Sequence, residues 1–214
     1  MKKILILAAN PQGTSRLRLD KEVRAIDEGL RRSHLHERFR IEQRWASRPR
    51  DVQRALLDVE PQIVHFCGHG EGQAGLVLED ETGQVKLVST EALSKLFELF
   101  ANRVECVLLN ACYAQVQADA IVQHINYVIG MRQAIRDDLA IAFSVGFYKG
   151  LGGGQSIEVA FQSGCDVIES RISGGSATER KLSPVISIAD TESMSFQEHL
   201  IPVLKKKASF RNRD

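Results

Sequence analysis

Short runs of apolar residues constrain the fold of this chain more than any other feature. Residues 4–9 are uninterrupted apolar positions, and similar runs follow at 63–67, 104–109 and 127–131, with His65 and Glu105 as their charged or ionisable members. A strand with one exposed face alternates apolar and polar side chains, whereas a continuous run indicates burial on both faces, as in a parallel sheet covered by helices. The chain is therefore predicted to form an α/β fold around a mostly parallel central sheet.

Segments with helical spacing separate these runs. Leu19, Val23, Ile26 and Leu30 form one apolar stripe, which predicts a helix. Alternation in residues 39–45 predicts an edge strand, and residues 75–88 predict an inserted hairpin with its turn at 80–83. Helices on both faces of such a sheet make a three-layer architecture.

The chain shows no linker and no internal repeat, so we predict one domain at residues 1–188 and a tail at 189–214. The last predicted strand is 184–188, and a glycine run at 150–156 is predicted to end a helix and form a flexible loop. The tail carries a basic run at 205–207, for which solvation is the favoured interpretation.

Composition excludes several classes of function. The net charge of +1 argues against general polyanion binding, and no segment approaches the roughly 18 apolar residues of a membrane span. The N-terminal run is short and lacks a signal-peptide cleavage site, so we interpret it as a first strand. The four cysteines show neither Cys-x-x-Cys spacing nor the density of a disulfide framework, which favours a cytoplasmic location without membrane association.

Two of the apolar runs lead into residues with reactive side chains. His69 lies between two glycines just after residues 63–67, and Cys112 follows residues 104–109. They are 43 residues apart in the sequence, about the length of one strand–crossover–strand unit. Neighbouring parallel strands would therefore bring both residues to the carboxyl edge of the sheet. A cysteine beside a histidine is the minimum equipment for covalent acyl transfer.

In these motifs the chain resembles the caspase-like cysteine peptidases, and most of all their prokaryotic CHAT branch. The resemblance rests on Asn10-Pro11, the helix at 19–26, His65-Phe66-Cys67-Gly68-His69-Gly70, Leu109-Asn110-Ala111-Cys112, Val128-Ile129-Gly130-Met131 and the helix at 143–147. It implies a caspase-haemoglobinase fold and a Cys-His dyad, with Cys112 as nucleophile and His69 as acid and base. It also implies an oxyanion hole formed by the amides of Gly70 and Cys112, and substrate contacts from Asn10, Asn110, Met131 and Arg132.

The resemblance implies a cysteine endopeptidase that cuts a protein substrate without a cofactor. We expect it to act in a bacterial defence or cell-death pathway, switched on by a protein partner. The alternative is a non-catalytic docking module on the same fold, although the intact Cys-His pair disfavours it. A serine hydrolase ranks last because the chain has no Gly-x-Ser-x-Gly elbow.

The remaining reactive and charged residues have plainer interpretations. Cys67, Cys106, Cys165 and His65 are expected to pack in the core. A zinc site built from His65, Cys67, His69 and Cys112 is disfavoured, because it lacks paired-ligand spacing and would consume the nucleophile. The arginine-rich stretch at 31–54 contains interspersed acids and no repeating aromatic platform, which favours a solvated face over nucleic-acid binding.

Overall fold

The computed structural model describes residues 1–178 and 200–208. Contacts divide the chain into two compact units. The first comprises Met1–Leu19, Glu37–Ala134 and the part from Val203 onward, and the second comprises Asp20–His36 and Ile135–Pro202. The strands lie in the first unit, apart from Pro202 at the start of the last strand.

The strands of the described residues are, in chain order, β1 (Lys2–Ala8), β2 (Phe39–Arg44), β3 (Ile63–Cys67), β4 (Leu76–Glu79), β5 (Val85–Val88), β6 (Cys106–Asn110), β7 (Tyr127–Met131) and β8 (Pro202–Lys206). Six of them form one sheet in the order β2-β1-β3-β6-β7-β8. The pairs β1–β2, β1–β3, β3–β6 and β6–β7 are parallel. The predicted α/β class with a mostly parallel sheet is therefore confirmed, and β2 lies at an edge as its alternation indicated.

The inserted hairpin is confirmed as well. β4 and β5 form a separate antiparallel pair. In its turn, the Asp80 carboxylate accepts hydrogen bonds from the N–H groups of Thr82 and Gln84, at 2.7 and 2.9 Å. Gly83 adopts a positive φ of 78°, which a glycine tolerates without steric cost.

The helices of the described residues are α1 (Leu19–Arg31), α2 (Pro49–Val59), α3 (Thr90–Leu99), α4 (Gln115–Ile121), α5 (Asp137–Gly152) and α6 (Ile157–Thr178). Within the first unit, α2, α3 and α4 contribute to one apolar core with β1, β3 and β6. Its members include Leu7, Phe66, Leu109, Leu56, Phe97 and Ile121, each at most 3% exposed. This core holds the central strands in place, and with them the ends from which the candidate site is built.

In the second unit, the glycine run ends a helix as predicted, but the helix stops two residues beyond Gly150. α5 continues to Gly152. A Cβ on Gly150 would lie 2.8 Å from the Cα of Ala160 in α6, and one on Gly152 would lie 2.4 Å from the Ser33 hydroxyl. Close packing, rather than helix termination, explains these two glycines. Among the described helices, none is both long enough and apolar enough to cross a membrane.

Strand β8 was not predicted from the sequence and lies within the predicted tail. Backbone bonding continues past its end, where the Lys207 N–H donates to the Asn126 carbonyl at 3.0 Å. Its basic residues make internal contacts, since Lys205 pairs with Asp119 at 2.8 Å and Lys206 lies over the Tyr127 ring. The predicted strand at 184–188 is outside the described residues, and the division at residue 188 stays a prediction.

Candidate active site

The ends of β3 and β6 meet at one edge of the sheet. The register pairs Cys67 with Asn110, so the two strands stop at the same level. Just beyond them, the Gly68 N–H donates to the Asn110 carbonyl at 3.4 Å. His69 and Cys112 follow and line the same open cavity, whose volume is about 770 Å³. That volume lies within the range of small-molecule and peptide sites in proteins.

The imidazole of His69 is oriented by a backbone carbonyl. Its Nε2 atom lies 2.8 Å from the Ser15 carbonyl oxygen, and the side chain is half-buried. Because a carbonyl oxygen can only accept, Nε2 carries the hydrogen in this contact. In the neutral ring, Nδ1 is then the nitrogen that can take up a proton.

A sharp turn carries Cys112 from the end of β6 towards α4. Cys112 is half-buried, and the next residue, Tyr113, has φ of 56° in the left-handed region. Bulky side chains rarely adopt this conformation, so the turn is held by its surroundings. The Tyr113 N–H lies 3.4 Å from the Gln133 carbonyl oxygen, and its side chain is 48% exposed on the cavity wall.

Gly70 packs directly on the backbone of Cys112. A Cβ at Gly70 would lie 2.2 Å from the Cys112 carbonyl oxygen and 3.2 Å from the Ala111 Cβ. The φ angle of Gly70 is not in the left-handed region, so close contact, and not backbone conformation, accounts for glycine here. The segment after His69 and the turn after β6 thus touch without room for a side chain.

Charged side chains on the cavity wall differ in how they are neutralised. Asp119 lines the cavity and pairs with Lys205 of β8 at 2.8 Å. Arg132 and Glu71 are exposed on the same wall, and neither forms an ion pair within the described part of the chain. A ligand in the cavity therefore meets one cation and one anion that the described protein residues leave uncompensated.

The predicted substrate-contact residues are not all on this cavity. Arg132 lines it, whereas Asn10, Asn110 and Met131 do not. Asn110 and Met131 end their strands with side chains at most 5% exposed, and the Asn10 N–H donates to the Glu79 carboxylate at 3.0 Å. The last residues of β6 and β7 are buried, whereas Cys112 and Arg132, two residues and one residue beyond these strands, line the cavity. A role for these three in substrate binding stays a prediction.

The other cysteines are buried, as predicted. Cys67 and Cys106 are fully buried and Cys165 is 7% exposed. Burial raises the pKa of the Cys106 thiol to about 12, and it raises that of Cys165 to about 12 as well. His65 is also fully buried in β3. Among the described residues, neither His69 nor Cys112 belongs to a cluster of three or more potential metal ligands.

Sequence reasoning missed three contributors to this region. The Ser15 carbonyl carries no sequence signal, because every residue has a backbone carbonyl. The left-handed backbone of Tyr113 carries none either, because contacts with the rest of the fold impose it. Gln117 did carry a local signal, because its helical spacing places it beside Ala118 and Ile121 of α4 and Ala114 at the helix cap, all of them fully buried. A polar residue at a buried helical position indicates a specific hydrogen-bonding role.

Comparison with known proteins agrees with the fold and with the motifs. A "Roc-COR-CHAT protease" from an unknown prokaryotic organism is 24% identical over 179 residues, which cover 79% of this chain and 17% of that protein. A "Probable protease" from Gillisia limnaea is 24% identical over 214 residues, covering 98% of this chain and 36% of that protein. The chain thus spans well under half the length of these relatives.

The fold is similar to that of a solved protease. A secreted C11 cysteine protease from Bacteroides thetaiotaomicron, solved with an irreversible peptide inhibitor, superposes with a TM-score of 0.57 at 12% identity. The match covers 87% of this chain and 62% of that one. The sequence model of the CHAT domain matches residues 9–164, which is most of the chain. With more than half of its residues matched, the chain belongs to the CHAT domain family, as its motifs predicted.

Proposed function

We propose that this chain is a cysteine endopeptidase domain in which Cys112 is the nucleophile and His69 the acid and base. The observation that carries the proposal is the cavity at the edge of the sheet, because His69, Gly70 and Cys112 all line it. The protease names of two relatives and the fold of the C11 cysteine protease support the same reaction class.

The reaction begins when His69 takes the thiol proton from Cys112. The Nδ1 atom suits this step, since the Ser15 carbonyl holds the hydrogen on Nε2. The Cys112 sulfur then attacks the substrate carbonyl carbon, and the carbonyl electrons move onto oxygen. Backbone N–H groups of Gly70 and Cys112 are proposed to stabilise this oxyanion, as donors fixed where the charge develops.

Collapse of the intermediate breaks the peptide bond. The protonated His69 gives its proton to the leaving amine, and a thioester to Cys112 remains. His69 then takes a proton from water, whose oxygen attacks the thioester and releases a carboxylic acid and the thiol. The positive charge that His69 carries between these steps is compatible with the Ser15 carbonyl, which accepts from either protonation state.

Activation by a protein partner is part of the proposal, and the layout of the chain supports it. The segment after the nucleophile contains α4, in which Gln117 and Ala118 are buried and Asp119 pairs with Lys205. Proteases need extended, mobile backbone, so this packed segment is a poor maturation site. The relatives are several times longer than the matched region, and one is named for Roc and COR parts as well as CHAT. The additional length of these relatives is consistent with a regulatory part, either attached to the CHAT domain or on a separate protein.

A peptide-library assay tests the activity. We expect cleavage by the wild-type chain, alone or with the proteins encoded beside it, and a thioester on Cys112 detectable by mass spectrometry. Cys112→Ala and His69→Ala should abolish cleavage, whereas Cys165→Ala, which removes a buried thiol in α6, should retain it. Cleavage that survives Cys112→Ala, or that depends on His65 and not on His69, would contradict the assignment.

The partner hypothesis has its own readout. Activity should rise when the partner is added while the chain keeps its full-length mass. Activity that appears only after a cut between residues 113 and 126 would show maturation by cleavage instead. The defence or cell-death setting is proposed from the family resemblance, and growth arrest on expression of an active chain with its cognate partner, absent with Cys112→Ala, would support it.

A further inference from the structure

Gln117 is a fully buried polar residue that joins three segments of the first unit. Its Nε2 group donates to the Gly72 carbonyl oxygen at 2.8 Å and to the Thr90 hydroxyl at 2.7 Å. Gly72 follows the His69 strand end, Thr90 begins α3, and Gln117 itself lies on α4, the helix after Cys112. A buried amide needs such partners, so both contacts set how these segments sit together.

The segment held by Gln117 includes Gly70. Residues 69–77 fold back on themselves, with the Glu71 N–H donating to the Gly75 carbonyl at 2.9 Å and the Val77 N–H to the His69 carbonyl at 3.0 Å. These bonds flank an antiparallel bridge between Gly70 and Leu76. In such a bridge the flanking residues carry the hydrogen bonds, so the N–H of Gly70 points away from Leu76.

The two halves of the proposed oxyanion hole therefore come from separate parts of the chain. Gly70 lies on the segment after β3, and Cys112 lies on the turn that leads into α4. Their backbones touch at Gly70, where a Cβ would fall 2.2 Å from the Cys112 carbonyl oxygen. Donors of this kind act only when held to about 0.5 Å of their working positions.

We propose that Gln117 is a positioning residue that aligns the Gly70 N–H with the Cys112 N–H for oxyanion binding. This role rests on the proposed function. The hydrogen bond of Gln117 to the Gly72 carbonyl fixes the position of the 69–77 segment relative to α4, the helix that follows the nucleophile. The hydrogen bond of Gln117 to the Thr90 hydroxyl holds its side chain in one rotamer. Gln117 acts through the backbone of other residues and does not touch the substrate.

Two reagents separate this role from general stability. Iodoacetamide alkylates Cys112 when the sulfur attacks a methylene carbon and iodide leaves, so no oxyanion forms. p-Nitrophenyl acetate acylates the same sulfur through a tetrahedral oxyanion, after which the ester C–O bond breaks and p-nitrophenolate leaves. The ratio of the acylation rate to the alkylation rate therefore reports the oxyanion hole, while thiolate supply and folding affect both rates.

The variants follow from the contacts. Gln117→Leu keeps a similar volume and removes both hydrogen bonds. Thr90→Val removes the hydroxyl and leaves the bond to Gly72. Ser94→Ala is the matched control, because the Ser94 hydroxyl also ties α3 to the α4 region, donating to the Ala120 carbonyl at 3.2 Å, but does not contact the 69–77 segment.

In Gln117→Leu, we expect the acylation rate to fall about 10²-fold, as a misplacement near 1 Å produces, with alkylation within about threefold of wild type. Thr90→Val should show a smaller loss in the same direction, and Ser94→Ala should leave the ratio unchanged. An unchanged ratio in Gln117→Leu overturns the role of Gln117. If that variant does not fold, the ratio in Thr90→Val decides in the same way. Acylation of wild type no faster than of Cys112→Ala, both alone and with the proteins encoded beside it, overturns the proposed function as well.

Discussion

The contact between Gly70 and the Cys112 carbonyl makes a sharp prediction for Gly70→Ala. The added Cβ would lie 2.2 Å from the Cys112 oxygen, whereas real Cβ atoms stay beyond 3.0 Å. The two backbones must therefore separate by about 0.8 Å, the difference between those values. Both atoms are on or next to the main chain, so side-chain rotation cannot relieve the overlap.

The size of the effect follows from that displacement. Overpacking of this kind costs about 1–3 kcal/mol in the free energy of unfolding. For a chain of this length, each kcal/mol lowers Tm by roughly 2–4 °C. The loss in activity should be larger, because losing one oxyanion donor costs about 10²- to 10³-fold in kcat. We expect Gly70→Ala to remain folded and to be nearly inactive.

The measurement combines a thermal melt with kcat/KM on the best library peptide. Gly29→Ala is the control: apart from its chain neighbours and the backbone of its own helix α1, no atom of the described residues lies within 4 Å of its Cβ position. There alanine should stabilise the chain by about 0.5–1 kcal/mol and leave kcat/KM unchanged. A Gly70→Ala chain that keeps kcat/KM within about threefold of wild type would refute an essential Gly70 amide, since one oxyanion donor contributes far more than that.

Four further predictions address thiol reactivity, the pH dependence of stability, charge at the cavity and helix capping. At pH 8, pKa values of about 12 leave Cys106 and Cys165 with about one thiolate in 10⁴ molecules. Iodoacetamide followed by peptide mapping should therefore label Cys112 far ahead of both. Equal labelling of the three thiols would contradict the assignment of Cys112 as the nucleophile. Because burial raises these pKa values from 9.0, the unfolded state loses its thiol protons first, and stability measured by urea denaturation should fall as pH rises from about 9 towards 12. With the cation of Arg132 on the cavity wall, wild type should cleave acidic peptides faster than basic ones, and Arg132→Glu should reverse this ranking in a cleavage profile. An unchanged ranking would exclude Arg132 from substrate contact. Ser89→Ala should lower the free energy of unfolding by about 1 kcal/mol, seen as a lower Tm, because the Ser89 hydroxyl caps α3 by accepting a hydrogen bond from the Ala92 N–H at 3.2 Å. Ser170→Ala, at an exposed position, is the control. An equal loss of stability there would exclude a specific cap effect.

Where sequence reasoning failed, the reason is a competing tertiary contact or a weak local signal. Ser89 caps α3, whereas the hydroxyl of Thr90, the first residue of the helix, accepts a hydrogen bond from the distant Gln117. Gly150 and Gly152 were read as helix breakers, yet Ala160 and Ser33 approach too closely for any side chain there. β8 is short and ends in lysines, so its pattern resembled a solvated tail.

The placement of the predicted substrate contacts shows the same limit. Asn110, two residues before Cys112, is a predicted substrate contact whose role stays untested; it ends β6 with its side chain 5% exposed and does not line the cavity. Arg132, one residue beyond the end of β7, does reach the cavity. A one-residue difference at a strand end changes the direction of a side chain, and the sequence does not show where the pleat stops.

By itself, the sequence determined the central strands, their burial and the appearance of His69 and Cys112 just beyond two of them. These features follow from local patterns, because an apolar run or a helical spacing is formed by residues that are close together in the sequence. Only the tertiary structure decided the details that the proposed chemistry depends on. The Ser15 carbonyl lies 54 residues from His69, Gly72 lies 45 residues from Gln117, and the turn after β6 meets Gly70 across the sheet edge. Contacts between such distant positions arise from packing of the whole unit, and no local spacing in the chain encodes them.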